Sequence, residues 1–167
     1  MGSLSKGFRP VSHWSIWMVT LMRNSKSPHS GESMKLSHIG IIVKHIEEGI
    51  KNHEALFGYK QLGPIVDDTE QKVRVVLMGT SENDPVKIEL ISPLTEDSPV
   101  TDLLKKRQAL YHLCYSVPDI EEAKQKARKS GAIVISKPVE APLFDNRKIC
   151  FLFTKDHYII ELVEGEH

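Results

Sequence analysis

The chain has 167 residues, 40% of them hydrophobic and 26% charged, with 22 basic residues balanced by 22 acidic ones. That length suits one domain, or two small modules fused around a shared core, and the composition is that of a folding globular chain rather than a disordered one. Zero net charge and the lack of a basic stripe argue against a protein that works by neutralising nucleic-acid phosphates.

Residues 1–33 differ from the rest. Lys6, Arg9, Arg23 and Lys26 are set among serines and Glu32 is the lone acid. The apolar stretch from Trp14 to Met22 is interrupted by Ser15 and Thr20 and is too short to span a bilayer. The first alanine is Ala55, too late for a secretory cleavage site. This segment is expected to be a disordered or spurious extension, with mitochondrial targeting as the alternative because it is acid-poor and carries Arg and Ser. Met34 opens the first strand-like run, and residues 34–167 are taken as one domain, expected in the cytoplasm.

Hydrophobic periodicity then predicts, for module one (34–94), a strand at 36–43, a helix at 46–57, and strands at 59–65, 72–79 and 86–92. Residues 98–107 read as a connecting helix, with Ser98 as N-cap and Pro99 at its first position. Module two (110–164) has a strand at 111–117, a helix at 120–130 and strands at 132–135, 147–153 and 158–163. Gly58, Gly63 and Gly131 punctuate these elements. Cys114 and Cys150 lie inside apolar runs, which suits buried, reduced thiols.

An internal repeat organises this succession. The run from His38 to Glu48 aligns with the run from His112 to Glu122, and His, Val, Ile, Glu and Glu recur in register: His38 with His112, Val43 with Val117, Ile46 with Ile120, Glu47 with Glu121 and Glu48 with Glu122. Later in each module Lys87-Ile88-Glu89-Leu90 is echoed by Ile159-Ile160-Glu161-Leu162. Each module thus contributes one His and one Glu. The expected fold is α+β, two tandem βαβββ modules forming a curved mixed sheet around one metal-binding cleft.

Each of these residues sits on a predicted strand among apolar neighbours. Glu89 alone would read as a solvent-facing charge and His38 alone as a satisfied core histidine. Two His and two Glu in matching positions offset one another's burial cost when a cation lies between them. His38, Glu89, His112 and Glu161 are therefore the candidate ligands of one divalent ion: zinc, cobalt, nickel, manganese or iron(II). His13, His29, His45, His53, His157 and His167 lack the repeat and read as surface, turn or terminal residues.

Paired βαβββ modules with His-Glu-His-Glu resemble the vicinal oxygen chelate superfamily over residues 36–164. That superfamily includes glyoxalase I, methylmalonyl-CoA epimerase, extradiol dioxygenases and the fosfomycin and bleomycin resistance proteins. The segment Glu89-Leu90-Ile91-Ser92-Pro93-Leu94, with Asp97-Ser98-Pro99-Val100 and the later Tyr111-His112-Leu113, is similar to the epimerases, as is the pair Asn146-Arg147. Asp156, Tyr158 and Glu161 resemble a spacing found in glyoxalase-type members. Departures from the epimerase pattern are Tyr111 in place of a histidine, a glycine-free loop at Ala141-Pro142-Leu143-Phe144-Asp145, and Arg74-Val75-Val76 where some members carry a further glutamate.

The resemblance implies proton abstraction from a 2-methylmalonyl-CoA-type thioester through a metal-stabilised enolate. In that reaction Glu161 is the first candidate base and Glu89 its counterpart on the opposite face, while Asn146 and Arg147 are candidate substrate contacts. A glyoxalase I-like lactoylglutathione lyase is the alternative, followed by a non-catalytic small-molecule-binding or resistance protein. The resemblance also implies a homodimer, and neither a nucleic-acid nor a membrane partner is expected.

Overall fold

The computed structural model describes residues 34–165. The expectations for residues 1–33 fall outside that range. Nine strands make one mixed sheet in the order β2-β3-β4-β1-β5-β9-β8-β6, with β7 also paired to β8. Their ranges are β1 Lys35–Ile42, β2 Lys60–Asp68, β3 Val73–Gly79, β4 Lys87–Pro93, β5 Leu110–Val117, β6 Ile133–Val134, β7 Val139–Ala141, β8 Arg147–Phe153 and β9 Ile159–Glu164. Among the described residues three α-helices accompany them: α1 Ile46–Phe57, α2 Thr101–Lys105 and α3 Ile120–Lys129. No helix among the described residues is long and apolar enough to cross a membrane.

The repeat predicted from sequence sets this topology. In the first half β1 and β4 run parallel, and in the second β5 and β9 do the same. The halves join where β1 and β5 pair antiparallel, so the first strands of the two modules lie side by side in the middle of the sheet.

Alternation along the strands separates two faces. On one face α1 covers Val76, Met78 and Leu90 through Ile46 and Ile50, while α3 covers Cys150, Leu152 and Leu162 through Ile120 and Ala123. Complete burial of an aliphatic side chain of this size contributes about 1.5–3 kcal/mol, so these two clusters anchor the helices. The opposite face, free of α1 and α3, carries Val73, Val75 and Ile91 from the first half and Cys114, Ile149 and Val163 from the second. The candidate ligands lie on this face.

The helix starts show how far the repeat reaches. Asp119 caps α3 by accepting a hydrogen bond from Glu122 N at 2.9 Å, whereas His45, its counterpart before α1, makes no side-chain cap. Gly58 ends α1 in the left-handed conformation, with φ of 65°.

Three elements differ in length from the sequence expectation by more than one residue. The connecting helix is shorter than 98–107: Ser98 and Pro99 lie in the turns before Thr101, the Ser98 hydroxyl has no partner among the described residues and caps nothing, and the left-handed Arg107 follows the helix. The predicted strand 132–135 is only Ile133–Val134, and a further strand, β7, follows it on the same partner. Lys137-Pro138 separates the two, since proline cannot donate to the ladder. Strand β2 continues past 65 to Asp68 and tolerates Pro64 because it is a sheet edge with an irregular register between Leu62 and Val66.

Candidate metal centre

The ladder places the four sequence-predicted ligands in two rows across the centre of the sheet. In one, Gly40 of β1 pairs with Glu89 of β4 on one side and His112 of β5 on the other. In the other, Cys114 of β5 pairs with His38 of β1 and Glu161 of β9. Each row is His and Glu flanking a small residue, and Gly40 and Cys114 occupy equivalent positions in the repeat. Side chains two strands apart start about 10 Å from each other at the backbone. They converge here by leaning over the small central residue.

Convergence is close. Nε2 of His38 lies 3.2 Å from Nε2 of His112, 3.3 Å from Oε2 of Glu89 and 3.1 Å from Oε2 of Glu161. From Nε2 of His112 the two carboxylate oxygens are 3.2 and 3.3 Å away. All four ligand atoms fall within 4.8 Å of one another. Donor atoms this close together suit ligands that share one divalent cation.

Every member is buried, with exposures of 1% for His38, 6% for Glu89, 3% for His112 and 3% for Glu161. Oε2 of both glutamates lacks a hydrogen-bond partner. Two buried, unsatisfied carboxylate oxygens facing two imidazole nitrogens are a costly arrangement by themselves and a suitable donor set for a divalent cation.

The ionisation of the site expresses the same demand for positive charge. Burial disfavours protonated His112, but the Glu161 and Glu89 carboxylates outweigh it and push the pKa up to about 10. His38 is raised by the same two carboxylates against its own burial. Burial favours protonated Glu89 and Glu161, yet the two imidazoles hold both below the usual carboxylate range. Burial, then the adjoining Glu161 charge, drives the Cys114 thiol well above its ordinary value, so it stays a neutral S–H beside the cluster.

Surrounding contacts orient the ligands. The His38 ring stacks on Phe144 at 5.1 Å and 19°, and its Nδ1 lies 3.3 Å from Ser37 Oγ. Phe144 belongs to a 3-10 turn, Pro142–Phe144, that sequence reading left as loop because proline and an unpatterned run conceal it. His112 packs edge-on to Phe151 and Tyr111.

Glu89, His112 and Glu161, with Tyr111, Phe144 and Phe151, line a small cleft of about 30 Å³. The β3 wall is Val73 and Val75; Arg74, on the other side of the strand, pairs with Asp67 and Glu47. Asp68 and Gln71 also line it, tied together by Gln71 N and Nε2 donating to Asp68 at 2.8 and 2.9 Å. Nothing in the residue pattern marked Asp68 as buried, since a charge before a turn ordinarily faces water.

Asn146 and Arg147 lie at the start of β8, outside the residues lining the cleft. Asn146 is exposed and left-handed. Arg147 donates from Nε to the Phe144 carbonyl at 3.1 Å, with its guanidinium carbon 5.8 Å from the centre of the Phe144 ring.

Comparison with known proteins agrees with this geometry. An ethylmalonyl-CoA/methylmalonyl-CoA epimerase of Cereibacter sphaeroides is 31% identical over 124 residues, covering 73% of this chain and 90% of the relative. A hypothetical protein from Bacillus halodurans superposes with a TM-score of 0.71 at 29% identity, covering 81% of this chain and 97% of that one. A single-substitution variant of methylmalonyl-CoA epimerase from Streptomyces coelicolor, in complex with 2-nitronate-propionyl-CoA, gives 0.69 at 25% identity, covering 80% and 96%. Residues 37–151 match the family described as the Glyoxalase/Bleomycin resistance protein/Dioxygenase superfamily, and with two like halves meeting at one His-Glu-His-Glu cluster the chain belongs to that superfamily.

Proposed function

We propose that this protein is a metal-dependent epimerase of a 2-methylmalonyl-CoA-type thioester, its metal held by His38, Glu89, His112 and Glu161. The observation that carries the reading is the approach of two carboxylates, Glu89 and Glu161, to one point from opposite halves of the sheet. The names of the relatives support it, as does the acyl-CoA compound held by the Streptomyces coelicolor protein.

A divalent cation supplies, when bound, Lewis-acid stabilisation of the negative charge that builds on the thioester oxygen as the C2 proton leaves. Epimerisation then needs one group to remove that proton and another to return one to the opposite face. Glu161 is assigned the removal: the C2–H bond breaks, the proton passes to its carboxylate, and the electron pair moves into the enolate. Glu89, across the cluster, is assigned delivery to the other face from its protonated form, so that each turnover leaves one glutamate protonated and the other ionised. The Val73 and Val75 wall offers no carboxylate, and the Asp68 carboxylate is held by Gln71, so both proton transfers are assigned to the glutamates of the ligand set. His38 and His112 would hold the cation, the apolar walls keep bulk water away, and Asn146 and Arg147, beside Phe144, are assigned to the anionic carrier beyond the acyl group. A homodimer belongs to the same reading.

The test is NMR of methylmalonyl-CoA in D2O with protein of assayed metal content. Exchange at C2 that requires metal and is lost in Glu161→Gln is the expected result. Metal-loaded protein that leaves C2–H untouched would overturn the assignment.

A further inference from the structure

Tyr111 immediately precedes His112 on β5 and lines the same cleft as Glu89, His112 and Glu161. Its ring lies 5.0 Å from that of His112 and 6.1 Å from that of Phe151, and it packs against the apolar cluster of Val73, Val75 and Ile91. Ring contacts account for its interactions: among the described residues the hydroxyl makes no hydrogen bond.

A tyrosine placed in an apolar wall ordinarily finds a partner for its O–H. None of the neighbouring polar groups of the cleft takes the Tyr111 proton. Asp68 and Gln71 are tied to each other, and the four ligands face one another. A phenol keeps its proton throughout the neutral range. It is therefore an uncommitted neutral donor beside a cluster whose other members accept protons or bind a cation.

We propose that Tyr111 is a further catalytic residue, whose O–H donates a hydrogen bond to an anionic oxygen of the molecule bound against the His38-Glu89-His112-Glu161 cluster. The identity of that oxygen, a carboxylate or developing enolate oxygen of the acyl group, rests on the epimerase reading; the donor role itself does not. A preorganised donor in a water-poor site acts most strongly where charge develops during the reaction.

The experiment compares wild type with Tyr111→Phe, which keeps the ring and removes only the donor, and with Tyr111→His, which restores an N–H. Metal content is assayed in each, malonate binding to the metal-loaded protein is followed by calorimetry, and C2 exchange of methylmalonyl-CoA is measured alongside. Tyr111→Phe is expected to retain its metal and to bind malonate at least about tenfold more weakly. Its exchange rate should fall about 10²-fold, mainly in kcat, with partial recovery in Tyr111→His. Malonate binding equal in wild type and Tyr111→Phe, or absent from wild type, would overturn the proposal. Wild type that binds malonate through Tyr111 but exchanges nothing would leave the donor standing and remove the epimerase.

Discussion

A β-carbon built on Gly40 would stand 2.5 Å from Cε1 of His112. The imidazole therefore rests on bare backbone, and its approach to the cluster depends on the missing side chain. Gly40→Ala must displace the ring. The expected outcome is about 10- to 100-fold weaker metal binding, the scale seen when support for a ligand is lost. The misfit should also cost about 1–3 kcal/mol in stability. Chelator competition and urea titration check the two effects separately, and unchanged metal affinity would show that the ring turns freely.

Metal uptake should release protons. An imidazole must be neutral to ligate, yet the carboxylates hold the metal-free His112 at a pKa of about 10 and raise His38 as well. Apparent affinity should accordingly climb with pH through the neutral range toward that value. Calorimetry in two buffers of different ionisation enthalpy measures the release, and none at neutral pH would contradict the charged site.

Without metal, the cluster should also shape stability against pH. His112 and His38 have folded pKa values above the ordinary 6.5, so their contribution is whole below that pH and lost as pH rises, for His112 through about 10. The glutamates are depressed below 4.5, so theirs is present above that value and lost as pH falls through the lowered folded values. The cluster therefore stabilises most between 4.5 and 6.5. Urea midpoints of chelated protein should decline as pH rises from 6.5 toward about 10, and His112→Ala should flatten that decline.

Two arginines separate surface from site. Arg74 pairs with Asp67 and Glu47 in the open, and Arg74→Ala should change stability by at most about 1 kcal/mol and leave C2 exchange intact. Arg147 holds Phe144, on which His38 stacks. Arg147→Ala is expected to weaken metal binding several-fold through Phe144. A rise in KM for the CoA ester with metal affinity unchanged would instead assign Arg147 to the carrier alone.

Much of this was legible in the chain because the repeat encodes it. The matched runs from His38 and His112 predict two like halves, and the periods of the strands place their apolar faces. What stayed hidden depends on contacts remote in sequence. Phe144 reads as part of a proline-containing loop until the fold lays it over His38. Asp68 reads as a turn charge until Gln71 closes over it. The connecting helix was overdrawn because Ser98-Pro99 carries a helix-start signature, while the structure places those residues in turns and starts the helix at Thr101. Gly40 and Cys114, unremarkable as letters, acquire meaning only from the register that sets each between two ligands.

The four ligands stand on β4, β1, β5 and β9, neighbouring strands drawn from both ends of the sequence. Such a centre cannot be assembled early by local structure, because β1 must first meet both β4 and β5 across long stretches of chain. On the metal-binding reading, a bound ion would then lengthen the life of the native state more than it hastens its arrival. In a cell, metal supply would govern how long each molecule survives before it opens, and starvation for the ion would register as turnover of the protein before loss of its reaction became limiting.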